Sequence, residues 1–140
     1  FNFDHSRHLL AIFVLIVAVA DIGGYLVGKF FGSHTLSVRV SPNKTWEGFF
    51  GGLMSAILLV TSIWLVVPLE YKYFGLLSFL ILTLITVLAS VVGDLTVSMM
   101  KRQSGQKDTG SILPGHGGLL DRIDGFCAAA PIFALGVILI

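Results

Sequence analysis

Two stretches decide the fold: Gly48–Leu69, GFFGGLMSAILLVTSIWLVVPL, and Tyr73–Gly93, YFGLLSFLILTLITVLASVVG. Neither contains a charged residue, and each exceeds the roughly 18 apolar residues that let a helix cross a bilayer. In hydrocarbon a backbone must satisfy its own hydrogen bonds, which a helix does within one segment. Neither run alternates apolar and polar residues as a barrel strand does. The reading is an all-α, polytopic transmembrane helical protein.

Working outward, Leu9–Phe31 is apolar apart from Asp21 and Lys29, and Gly125–Ile140 is apolar throughout. Adding Leu119–Asp124 gives the last run the length to span, with polar first turns. About four membrane helices are therefore expected. Composition agrees: 55% of residues are hydrophobic and 12% charged, against about a quarter charged in a soluble domain. Four spans put the loops Gly32–Thr45 and Val97–Gly118 on one side of the membrane. Lys29, Arg39, Lys44, Lys101, Arg102, Lys107 and Arg122 fall on that side, and Arg7 and Lys72 fall opposite. The positive-inside rule makes the richer face cytoplasmic. Cys127 stands alone, so an intrachain disulfide and a cysteine metal cluster are both excluded. The chain opens on Phe1 with no basic n-region and cleavage site, so it reads as a fragment whose upstream helices are missing.

The polar segment Ser98–Asp124, SMMKRQSGQKDTGSILPGHGGLLDRID, concentrates charge beside the spans, where ionisable groups are costly. Gly105, Gly110, Gly115, Gly117 and Gly118 let backbone amides approach an anion. Lys101, Arg102 and Lys107 supply charge for phosphate oxygens, although a basic loop that only follows the positive-inside rule has the same composition. Asp121 and Asp124, three apart at a helix start, share a face, and Asp94 closes the preceding span on the same side. Three carboxylates in one place repel unless a cation, Arg122 or a metal, sits among them. Magnesium suits a few carboxylates with substrate phosphates in its remaining positions. Favourable interaction with the helix dipole would account for one of these acids, not three.

Asp21 lies about 15 Å in from the end of its helix, and an acid at that depth is a functional candidate. It is read as a metal ligand, as the lining of a polar cavity, or as a partner for Lys29 or Arg122. In Ser41-Pro-Asn-Lys-Thr-Trp-Glu-Gly48, Lys44 and Thr45 are placed to hold phosphate at a helix N-terminus. Trp46 reads as an interfacial anchor and Glu47 as a helix-start acid. His116, inside Pro-Gly-His-Gly-Gly, either bonds a phosphate or nucleotide or fixes the turn. His5, His8 and His34 have no companions at ligand spacing. Gly48 and Gly52 suit close helix packing, in a homodimer or within one chain.

The run Ser98-x-Met-Lys-Arg102, Lys107-Asp108, Gly110, Leu113-Pro114, His116-Gly-Gly-Leu119, Asp121-Arg-Ile-Asp124 resembles the signature of the phosphatidate cytidylyltransferases. Asp21-Ile-Gly-Gly-Tyr25 and Ser41–Gly48 resemble upstream motifs of the same family. The resemblance covers residues 1–140 as a C-terminal catalytic membrane domain, and it implies an enzyme of the bacterial inner membrane. CTP and phosphatidate would give CDP-diacylglycerol and pyrophosphate, with Mg2+ as cofactor and a second metal ion compatible with the acid count. Membrane lipids are expected partners and nucleic acid is not. On this reading Asp94, Asp121 and Asp124 hold metal with Asp21 as a further ligand. Lys101 and Arg122 join the catalytic set. Lys44, Arg102, Lys107, Gly115, His116, Gly117 and Gly118 bind substrate. A CTP-dependent lipid kinase and a non-catalytic ion pathway are the competing classes.

Overall fold

The computed structural model describes residues 3–68, 74–105 and 120–139. Its elements run α1 (Phe3–Phe31), β1 (Thr35–Ser37), β2 (Ser41–Thr45), α2 (Trp46–Val66), α3 (Leu76–Gln103) and α4 (Leu120–Leu139). Arg7–Phe31, α2 and α3 are long and apolar enough to cross a membrane, and Ile123–Leu139 is a shorter apolar stretch. Three of the four expected spans are therefore helices of spanning length, and the fourth falls on the shorter apolar stretch of α4, after polar first turns.

Local chemistry sets the boundaries. Thr45, in extended conformation, caps α2 by accepting the Gly48 amide on its hydroxyl, the usual device for orphan amides at a helix start. Pro68 follows the last turn of α2, where a helix cannot easily continue. The α3 helix departs from expectation: it does not end near Gly93 but runs on to Gln103. Leu95–Gln103 contains no breaker, and the stop comes at Gly105, whose φ of 70° is left-handed and suits glycine at a helix C-terminus. Lys101 and Arg102 thus occupy the last helical turn of α3 rather than a loop.

The 32–45 connection is also more ordered than a loop. β1 and β2 form an antiparallel hairpin pairing Thr35 with Thr45 and Ser37 with Ser41, with an irregular register between the pairs. Pro42 lies on the irregular stretch of β2 and has no amide to donate. Only Thr45 in Ser-Pro-Asn-Lys-Thr favours a strand, and contacts with α2 hold it in place. The Trp46 amide donates to the His34 carbonyl at 2.9 Å. The Glu47 carboxylate accepts the His34 amide at 3.2 and 3.3 Å and meets its ring Nδ1 at 2.7 Å.

Helix α1 packs on α2 through small residues. A Cβ on Gly48 would stand 2.7 Å from the Gly24 carbonyl oxygen, and one on Gly52 would stand 2.5 Å from that of Ala20. Ala20, Gly24 and Gly28 therefore face Gly48 and Gly52 at four-residue spacing, the pattern that brings membrane helices into backbone contact. Gly48 and Gly52 act within the chain here. Helix α3 meets α4 in the same way, since a Cβ on Gly93 would clash with Ala128 and one on Gly125 with the Ser90 hydroxyl.

The interior includes polar side chains, and large apolar ones point outward. Thr83 and Thr86 are fully buried while Leu77 is 72% exposed and Ile138 69%. Both threonine hydroxyls donate to the carbonyl one turn back, Phe79 and Leu82, at 2.8 and 2.7 Å, so neither is left unsatisfied. Phe13, Ile16 and Val17 of α1 close the core against Phe79, Leu82 and Val87 of α3 and Ala129 and Phe133 of α4. Outward Leu and Ile around a core with satisfied hydroxyls is the arrangement a lipid solvent permits.

Candidate active site

Four elements deliver charged groups to a single cavity of about 660 Å³: Asp21 and Lys29 from α1, Lys44 from β2, Asp94 from α3 and Asp124 from α4. The close α1–α2 contact brings Asp21 to the start of α2, and the hairpin turns Lys44 back toward the helices. The α3–α4 contact sets Asp124 beside Asp94, since a Cβ on Gly93 would meet the Asp124 carbonyl oxygen at 3.2 Å. The glycine contacts thus serve the site as well as the packing.

The Lys44 ammonium forms an ion pair with the Asp94 carboxylate, and each side chain is about one-third exposed (32% and 31%). Burial pushes Lys44 below the ordinary lysine range, while the negative charges of Asp21 and Asp124 oppose the shift. Withdrawal from water disfavours the cation and the carboxylates restore part of the loss. Asp124 also accepts the Gly125 amide at 2.8 Å.

Of the expected site residues, Asp21, Lys44, Asp94 and Asp124 are brought together. Lys101 and Arg102 do not line the cavity. They stand seven and eight residues beyond Asp94 on α3, about 10–12 Å along the helix axis, where positive charge complements the helix C-terminus. Lys107, Gly115, His116, Gly117 and Gly118 lie outside the described residues, as do the side chains of Asp121 and Arg122. Among the described residues no three of His, Cys, Asp and Glu are grouped to hold a metal ion. The carboxylates of the cavity are nonetheless hard oxygen donors, the chemistry magnesium takes, and magnesium often uses one or two carboxylates with substrate phosphates and water.

Sequence reasoning passed over other lining residues. Tyr25, Lys29, Asn43 and Ser90 also face the cavity. A signal was present for two of them, because residues 21, 25 and 29 recur at four-residue spacing on one helix face. His34, set aside as ordinary, is the partner of Glu47, and Glu47 is more than a helix-start acid. Trp46 is half exposed and clusters with Phe49 and Phe50, ring centroids 6.1 and 6.3 Å away, which fits an interfacial anchor.

Comparisons with known proteins give this membrane helix bundle, with its cationic and carboxylate cavity, a family. The model of the cytidylyltransferase family matches residues 2–139, and the chain belongs to that family. It is 45% identical over 134 residues to the phosphatidate cytidylyltransferase of Haemophilus influenzae, covering 93% of this chain and 46% of that protein. Identity to the phosphatidate cytidylyltransferase of Pseudomonas aeruginosa is 48% over 126 residues, 90% of this chain and 45% of that protein. For the Staphylococcus aureus protein of the same name it is 44% over 137 residues, 98% of this chain and 51% of that one. The chain spans about half the length of these curated relatives.

Proposed function

We propose that this chain carries the reaction centre of a phosphatidate cytidylyltransferase, joining CTP and phosphatidate to give CDP-diacylglycerol and pyrophosphate. The observation that supports this most strongly is the convergence of Asp21, Lys44, Asp94 and Asp124 on one cavity, in a chain whose relatives bear that name over nearly its whole length.

In the reaction a phosphate oxygen of the lipid attacks the α-phosphorus of CTP. The bond from that phosphorus to the bridging oxygen of the β-phosphate breaks, and pyrophosphate leaves with the electron pair. The lipid phosphate is already anionic near neutral pH, so the protein needs to position and neutralise more than to deprotonate. Lys44 offers its ammonium to phosphate oxygens, and Asp94 fixes that ammonium in place. Asp94 and Asp124, with Asp121 and Asp21, are the carboxylates that would hold Mg2+. When bound, the ion would neutralise charge on the transferring phosphates. Lys107, Gly115, His116, Gly117 and Gly118 would bind substrate, and Lys101, Arg102 and Arg122 would add positive charge for phosphates around the cavity.

The positive-inside distribution supports a cavity that opens to the cytoplasm, and the bacterial relatives support a place in the inner membrane. A homodimer would use helix faces other than the one carrying Gly48 and Gly52. The test is product analysis with full-length protein, magnesium, phosphatidate and CTP labelled separately in cytidine and in the γ-phosphate. Cytidine label in the lipid and γ-label in pyrophosphate is the expected result. The γ-label in the lipid would instead identify a kinase.

A further inference from the structure

We propose that Tyr25 and Lys29 form a headgroup subsite that holds the phosphate of the lipid substrate, as distinct from the phosphates of the nucleotide. The assignment rests on the cytidylyltransferase reading above and adds to it the place where the lipid enters. Both residues line the charged cavity, and the Lys29 ammonium lies 5.7 Å from the centroid of the Tyr25 ring, within reach of a cation–π contact.

The two lysines of the cavity differ in their partners. Lys44 is held by Asp94 and feels the charges of Asp21 and Asp124. Lys29 has no carboxylate partner among the described residues; the contact it makes is with the Tyr25 ring. Its ammonium therefore remains available to an anion, and on the proposed function the phosphomonoester of the lipid is the second anion, beside the nucleotide, that this cavity would receive.

Position on α1 selects the lipid over the nucleotide. At ~100° per residue, the order around the helix is Asp21, Tyr25, Lys29, Ile22, Leu26, Phe30. Asp21 faces the cavity, whereas Ile22, Leu26 and Phe30 are 59%, 47% and 73% exposed and apolar. Tyr25 and Lys29 form the seam between these two surfaces. A molecule with a phosphate at one end and hydrocarbon at the other matches that seam, with its headgroup over Lys29 and its tails against Ile22, Leu26 and Phe30. A nucleotide triphosphate has nothing to place on the apolar side.

The test is the steady-state kinetics of full-length wild-type, Lys29→Met, Lys29→Gln and Lys29→Arg proteins in mixed micelles, varying phosphatidate and CTP in turn. Loss of one charge-assisted contact should raise the KM for phosphatidate by about tenfold in both neutral variants, with the KM for CTP within about twofold of wild type. Lys29→Arg should restore most of the lipid affinity. Native mass spectrometry of the same variants should show less phosphatidate retained in the neutral pair. An unchanged KM for phosphatidate, or an equal rise in both KM values, would overturn the subsite while leaving the reaction intact. A wild-type protein that moves no cytidylyl group would overturn the reading beneath it, and the subsite with it.

Discussion

Lys44 and Asp94, fifty residues apart, form an ion pair across the gap between β2 and α3. The hairpin carrying Lys44 and the long helix carrying Asp94 are thereby joined at the cavity. Each group fixes the other, and the pair meets the two remaining carboxylates, Asp21 and Asp124. Removing either partner leaves the other uncompensated in a half-buried place. Lys44→Ala and Asp94→Asn should each lower kcat/KM by about 100-fold. The double variant should lose much less than the product of the two, because the residues act as a unit. Strict additivity in that cycle would show that they act separately.

Gly48 and Gly75 predict opposite outcomes for one substitution. A Cβ at Gly48 would meet the backbone of α1 at 2.7 and 3.2 Å, while one at Gly75 would meet nothing within 4 Å. Gly48→Ala should destabilise the protein by about 1–3 kcal/mol through forced separation of α1 and α2. Gly75→Ala should be near neutral. Unfolding in detergent, followed by circular dichroism, distinguishes the two.

The clasp between Glu47 and His34 holds the base of the hairpin. Glu47→Ala should speed amide exchange across Thr35–Thr45 by about tenfold or more, without loosening the α3–α4 core. The same variant should lower activity several-fold through misplaced Lys44. Hydrogen exchange read by mass spectrometry checks the first claim, and unchanged protection in the hairpin would remove Glu47 from this role.

Thr45 caps α2 through its hydroxyl. Thr45→Ala should cost about 1 kcal/mol of unfolding free energy, and Thr45→Ser should retain most of it. Denaturant titration of the three proteins in one detergent measures the difference.

The spans were legible because twenty charge-free residues leave few alternatives to a membrane helix. The end of α3 was not, because hydropathy falls at Asp94 whereas helix geometry has no reason to stop before Gly105. A charged residue marks a change of solvent, and a left-handed glycine marks a change of backbone. The hairpin was hidden for another reason: its strands have weak intrinsic preference and depend on Glu47 and the Trp46 amide reaching back to His34. Asp21, Lys44, Asp94 and Asp124 could each be named in advance, but not the pairing of Lys44 with Asp94. Long-range ion pairs leave no periodic trace in a chain. Lys29 and Tyr25 did leave one, four residues apart on the face of Asp21, and it was visible only once that face was seen to line a cavity.

On the proposed function, the cavity of Asp21, Lys44, Asp94 and Asp124 receives the triphosphate of CTP. Protection of Lys44 from a small amine-modifying reagent, mapped by peptide mass spectrometry in full-length protein, tests it most directly. Saturating CTP with magnesium should protect Lys44 strongly while leaving Lys72 as reactive as before. Equal modification of Lys44 with and without CTP, in protein shown to bind the nucleotide, would contradict the claim.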